Sequence, residues 1–481
     1  MKEQSTFYSS LGLLIILNVI VKPLWIFGID RQVQNAVGTE AYGTYFSLFN
    51  FSIVFSFLLD WGLTAFFNRQ LAAQKETVMN RAADFLLVKI IFLAIYISVI
   101  IGIALVTHIE RWDILWGVIA VQALTSLFLF LRGIVTAHQW FHTGAWLSVL
   151  DKTLMIVLCG SLLFFPSVFG GMTISKFLWA QVVCTFLTAL CVLVILFRRH
   201  VSFRLAGYSL HSLQFFKTAL PFAIIVLLMS VHNRLDGFLL ERIHPNGAYE
   251  AGVYAASYRL LDAASMIGYL PASFLLPYIA RQWSQEKNIS EVILTSRHLL
   301  VTVSIAIAVT AVFMAPWIQQ LLYHQHNATA IAVLQWCLPA LIGYSLVNLY
   351  GTLLTATGHI NAFCIINFIA VAINIFLNLL LIPVSGAKGC CIAALVSQGF
   401  CGIATLLYTR KKLNIPIHPR SLLMYTFIGV LLATYFYVSN DIVPDKWLQV
   451  ITAMFITLSA VFITKLFRIR TWMNLFKQPD Q

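Results

Sequence analysis

The chain has 481 residues, 60% of them hydrophobic and only 10% charged, where soluble globular chains carry roughly 25% charged residues. Apolar runs of about 20 residues recur along its length, each long enough to cross roughly 30 Å of hydrocarbon. This excludes a soluble enzyme and predicts an all-α, polytopic membrane protein; the net charge of +13 therefore has to be read against membrane topology first.

The opening M-K-E-Q-S-T lacks the basic region and cleavage site of a secretory signal, so the first apolar run is expected to be retained. In chain order, about fourteen transmembrane helices are predicted: 8–28, 41–62, 85–106, 114–135, 146–166, 177–197, 217–240, 253–279, 298–318, 331–355, 361–383, 387–408, 421–439 and 447–466. With the N-terminus inside, twenty Lys and Arg fall in inside segments and six in outside loops. Arg198–Arg199, Arg410-Lys411-Lys412 and the tail from Lys465 are the densest inside groups. That bias sets both termini in the cytoplasm, and it makes the positive charge topological rather than a nucleic-acid footprint.

Beyond the twenty inside and six outside, five cations are left over within the predicted spans: Lys22, Lys89, Lys152, Arg234 and Arg259. The acids there are Asp60, Asp151, Asp236 and Asp262. Such groups are costly in a bilayer and mark functional candidates by default. Lys22 precedes Pro23, which should kink the first helix beside a cavity. Lys22 then reads either as a cation facing that cavity or as a lysine reaching the outer headgroups. Asp30–Arg31 reads as a loop pair beyond this helix. Asp60, in L-L-D-W-G-L, reads as a capping or packing residue, with ion coupling as the alternative. Lys89 is expected to snorkel to the inner surface, and Arg132 to be topological. Asp151–Lys152 reads as a packing pair in preference to an inner phosphate site.

Arg234 stands 17 residues after Lys217, about 25 Å along a helix, in the outer third of the membrane. Residues two apart lie on different faces, so Arg234 shares one with Glu241, and Asp236 shares another with His232. Arg234 and Asp236 read as interface anchors or as site residues, with Asp236 open between charge partner, coupling acid and helix end. Arg259 and Asp262 read as an i, i+3 ion pair. Alternatively, Arg234 and Arg259, at similar heights on consecutive helices, grip a phosphate with their planar donor forks.

Several chemistries find no support. His324-x-His326 lacks a third ligand, the eight cysteines show no metal or disulfide spacing, and no phosphate-binding G-x-x-x-x-G-K-[ST] occurs. With no catalytic constellation either, the expectation is a non-enzyme without metal or cofactor.

A weak internal repeat has an offset of about 209 residues: Gly43 and Tyr45 align with Gly252 and Tyr254, and F-F-N-R-Q-L-A (66–72) parallels Y-I-A-R-Q-W-S (278–284). Six helices separate the matching spans, so the halves share one orientation. The expected domains are an N-terminal lobe, 1–200 (helices 1–6), a C-terminal lobe, 201–412 (helices 7–12), and 413–481 with helices 13–14 and a basic cytoplasmic tail.

The stretch 350–398 carries T-G-H-I-N, L-N-L-L-L-I-P, a loop with Gly386 and Gly389, and an alanine-rich helix ending in S-Q. Together with Arg31, Val37-Gly38-Thr39-Glu40, Tyr42-Gly43-Thr44-Tyr45, Asp60-Trp61-Gly62-Leu63, Gly252-Val253-Tyr254 and Tyr258-Arg259-Leu260, it resembles the polysaccharide-export branch of the multidrug/oligosaccharidyl-lipid/polysaccharide exporter superfamily. The resemblance spans nearly the whole chain. It implies two six-helix lobes around a V-shaped cavity that rock between inward- and outward-open states. It further implies a flippase for undecaprenyl-diphosphate-linked oligosaccharide units in the bacterial inner membrane, serving O-antigen or capsule synthesis. Lys22, Arg234 and Arg259 fall where the family's diphosphate-holding cations are implied. Asp236, Asp262 and Asp60 are candidates for ion coupling or charge pairing. The implied partners are the lipid-linked oligosaccharide, membrane lipids, a coupling cation (H+ or Na+) and polysaccharide polymerase machinery, with no nucleic acid. The chain lacks the multiple arginines along helix one of the peptidoglycan-precursor flippases. Two alternatives stand beside this reading: a cation-coupled multidrug or metabolite exporter of the same superfamily, and an O-antigen polymerase or ligase, against which the short outside loops count.

Overall fold

The computed structural model describes residues 2–64, 82–138, 140–199, 201, 213–324 and 327–463. Among these, ten helices are long and apolar enough to cross a membrane. The remaining predicted spans are a 16-residue helix at Thr39–Val54, the helix Gly247–Ser284, a shorter apolar helix at the C-terminal end, and a second span inside the 54-residue run Ile360–Leu413. The chain is thus an all-helical, multi-span membrane protein. Its surface agrees, with large apolar side chains such as Val384 (84% exposed) and Tyr437 (77%) turned outward as only an apolar surrounding tolerates. The 66–72 half of the repeat motif, the basic residues Arg69, Lys75, Arg81 and Arg204, His326, and the tail from residue 464 lie outside the described residues.

The chain divides into two compact units, Met1–Phe238 and Leu239–Gln481. The first unit opens with α1 (Lys2–Pro23), a π-helical stretch (Leu24–Asp30) and α2 (Arg31–Val37). Pro23 offers no N–H and its ring crowds the preceding turn. The ladder beyond it resumes one residue wider, with the Arg31 N–H reaching Ile26 O. The expected kink takes this form, and the helical run continues to Val37. Asp30 and Arg31 are therefore helical rather than a loop pair. Asp30 is buried, where it accepts a 2.9 Å hydrogen bond from the Tyr42 hydroxyl. The run stops at Gly38, whose φ of +88° suits a residue without Cβ.

α3 (Thr39–Val54) follows, then a 3-10 turn (Ser56–Leu59), α4 (Ala82–Val106), α5 (Trp112–Ala137), α6 (Phe141–Phe164) and α7 (Ile174–Arg198). α1 packs on α6, α5 on α7, and α3 on α5. Phe85, Phe128, Phe130, Leu131 and Val192 build a core between α4, α5 and α7. Tyr45 closes another contact, meeting Phe177 edge-on at 5.4 Å and donating to Gln181 Oε1 at 3.3 Å. α8 (Leu213–Ile243) carries the boundary between the units.

The second unit contains α9 (Gly247–Ser284), α10 (Ser290–Tyr323), α11 (Ala328–Cys337), α12 (Ala340–Ala356), α13 (Ile360–Leu413), α14 (Pro419–Ile442) and α15 (Lys446–Ile463). The predicted span 331–355 is broken before Ala340, where Pro339 cannot continue the ladder. α13 is two arms that reverse at Gly386 (φ +51°, ψ −131°). Asn374 Nδ2 reaches Ser397 Oγ at 3.4 Å, although residues so far apart on one straight helix would be about 35 Å from each other. α14 and α15 pack on α10 within this unit. Gly43 and Gly252 are both buried, as are their repeat companions Tyr45 and Tyr254.

Candidate substrate and ion site

The sequence boundary at residue 28 placed Lys22 near a helix end. With the run extended to Val37, fifteen further residues follow it, and Lys22 stands mid-helix against α6. Asn18, one turn earlier, donates to Ser148 Oγ at 3.0 Å. Lys152 Nζ lies 5.4 Å above the Trp25 ring and 3.3 Å from Asp151 Oδ2. Lys22 is within Coulombic range of Asp151, Lys152 and Arg132. Among the described residues, Arg132 Nε is buried without a hydrogen-bond partner. Three cations from α1, α5 and α6 thus gather around one carboxylate, a local excess suited to an anion. Sequence position gave no warning of this, because the grouping depends on how α1 lies along α6.

Asp60 and Lys89 form a second pair, 2.9 Å apart. Lys89 does not snorkel: it is 7% exposed, and its ammonium reaches inward to Leu59 O and Ser126 Oγ as well as Asp60. Burying a charge is tolerable only when it is paired and hydrogen-bonded, and here three acceptors take its three protons. Asp60 also accepts from the Thr64 hydroxyl and amide.

On α8, His232 and Asp236 are each 2% exposed while Arg234 is half-buried. This follows the helical phasing, with His232 and Asp236 one turn apart on the inward face. Arg259 and Asp262 are half-buried on α9 of the second unit. None of Arg234, Asp236, Arg259 and Asp262 is without an interaction partner.

Three polar features of the second unit escaped the sequence reading. Glu250, in the first turn of α9, accepts from the Ala387 amide at 2.9 Å. Asn374 and Asn378 are fully buried and linked by a 3.1 Å hydrogen bond. Arg297, 3% exposed, donates through Nη1 to Tyr350 Oη and Pro416 O. Buried asparagines at spacings of seven and four residues (367, 374, 378) were the one signal visible beforehand. Among the described residues no group of His, Cys, Asp and Glu could hold a metal ion.

The profile of the family described as "Polysaccharide biosynthesis protein" matches residues 10–283, more than half of the chain. The chain belongs to that family, and its fold is that of the multidrug/oligosaccharidyl-lipid/polysaccharide exporter superfamily. Its architecture is similar to the lipid II flippase MurJ in an inward closed conformation (TM-score 0.70, 12% identity, 97% of this chain and 100% of that one). It is also similar to an inward-facing multidrug resistance MATE family transporter of the MOP superfamily (TM-score 0.64, 17% identity, 84% and 98%). A MOP superfamily transporter from Pyrococcus furiosus, whose binding pocket is described as reversed in polarity, is comparable (TM-score 0.61, 16% identity, 84% and 94%). No curated protein matches the chain.

Proposed function

We propose that this protein is a flippase that carries an undecaprenyl-diphosphate-linked oligosaccharide across the bacterial inner membrane by alternating access, for O-antigen or capsule synthesis. In this reading both termini are cytoplasmic, and Lys22, Arg234 and Arg259 bind the diphosphate. The observation that carries it is the cation excess inside the first unit, where Lys22, Arg132 and Lys152 all lie within Coulombic range of Asp151. A diphosphate cannot cross hydrocarbon unaided, and interior cations that lack a full set of counter-ions give its charge somewhere to go. Asp236 and Asp262 are then charge partners or coupling acids for H+ or Na+. The membrane potential contributes about 2.3 kcal/mol per transported charge per 100 mV.

The test is surface glycan in cells carrying Lys22→Ala, Arg234→Ala or Arg259→Ala. Each substitution is expected to abolish glycan while the protein stays inserted and abundant, and Lys22→Arg to retain it. Wild-type glycan in all three alanine variants overturns the reading. A cation-coupled exporter would instead tolerate the substitutions of Lys22, Arg234 and Arg259.

A further inference from the structure

The surroundings of Lys89 resemble a metal site more than an ordinary ion pair. A backbone carbonyl (Leu59 O, 3.2 Å), a carboxylate (Asp60 Oδ1, 2.9 Å) and a hydroxyl (Ser126 Oγ, 2.8 Å) converge on one point, which the ammonium occupies. These are hard oxygen donors of the kind that bind alkali and alkaline-earth cations. The cage is built independently of the lysine. Ser126 Oγ donates to Leu59 O at 3.3 Å, and Thr64 fixes Asp60 through its hydroxyl and, at 3.3 Å, through its amide. Trp61 (φ +44°) and Gly62 (φ +77°) turn the backbone so that Thr64 faces Asp60 from one helical turn beyond it. Phe130 adds an aromatic face 5.6 Å from the ammonium. The lysine enters from α4, while the oxygens belong to the turn after α3 and to α5.

We propose that Leu59 O, Asp60 Oδ1 and Ser126 Oγ form a monovalent-cation cage that this chain fills with its own Lys89 ammonium. Shortening Lys89 therefore converts the cage into a binding site for potassium or ammonium ion. The tethered charge never leaves, so Asp60 is committed as its counter-ion and does not exchange a coupling cation during transport.

The full-length protein in detergent, unfolded thermally and followed by tryptophan fluorescence, tests it. In choline chloride, Lys89→Ala is expected to unfold at a lower temperature than wild type. Potassium or ammonium chloride at the same ionic strength should recover more than half of that loss, and should leave wild type unmoved. Adding Asp60→Asn to Lys89→Ala should abolish the recovery. If Lys89→Ala does not accumulate, Lys89→Val carries the same comparison. Equal midpoints of the variant in all three salts, or a recovery that survives Asp60→Asn, overturn the proposal.

Discussion

At Glu250 a side chain on one helix does for another what an N-cap residue does within its own. Its carboxylate accepts from the Ala387 N–H at the start of the second arm of α13, an amide that has no partner inside that arm. A Cβ at Gly386 would come within 2.5 Å of the same carboxylate oxygen, on a backbone already at φ +51°. Glu250→Ala is therefore expected to cost about 1–2 kcal/mol. Gly386→Ala should cost at least as much, from strain and crowding together. Thermal unfolding of the purified full chain measures both, and wild-type midpoints would show that the cap contributes nothing. At this scale the sequence named the residues better than their surroundings. Lys89 read as a snorkelling lysine because its place near a helix end says nothing of Leu59 and Ser126 on other elements. Asp30 read as a loop residue because the Tyr42 hydroxyl that satisfies it is contributed by the next helix.

At the scale of elements, hydrophobic run length located the helices well, and the errors fall where a run's end was taken for a helix's end. The first helix outlasts its apolar stretch as Asp30 meets the Tyr42 hydroxyl inside the protein and Gln34 is buried one turn further on. The span 331–355 stands as one membrane crossing, within Ala328–Ala356, with a local break at Leu338–Pro339 where the proline interrupts the ladder. The closest helix packing rests on residues too small to attract notice. A Cβ at Gly343 of α12 would lie 2.6 Å from the Gln398 backbone of α13, and one at Gly402 would lie 2.9 Å from Leu346 Cβ. Such small-residue contacts replace the hydrophobic effect as the glue between helices in lipid. Gly343→Val should therefore destabilise by about 1–3 kcal/mol or more, whereas Gly399→Ala, with nothing within 4 Å of its added carbon, should be neutral or slightly stabilising. Comparing the two variants for membrane accumulation and unfolding midpoint separates a specific clash from general intolerance to change in this region. Equal behaviour would refute the close-packing account.

For the whole molecule, the charge distribution makes a prediction that no helix makes alone. On the topology proposed above, with both termini in the cytoplasm, the inside segments hold twenty basic residues and the outside loops six. Reporter fusions after residues 200 and 481 should be active only in the cytoplasm, and fusions after residues 171 and 444 only on the far side. A fusion set with the opposite pattern would invert the proposed direction of transport. The reversal at Gly386 bears on how this molecule is made. Two spans joined by so short a corner leave the ribosome as one hydrophobic mass. Asn374 and Ser397 satisfy each other across it, so neither arm is a comfortable lodger in lipid by itself. The biosynthetic machinery must therefore release the pair into the bilayer together, and a stop inserted between them would strand a half-helix whose polar groups have lost their complement.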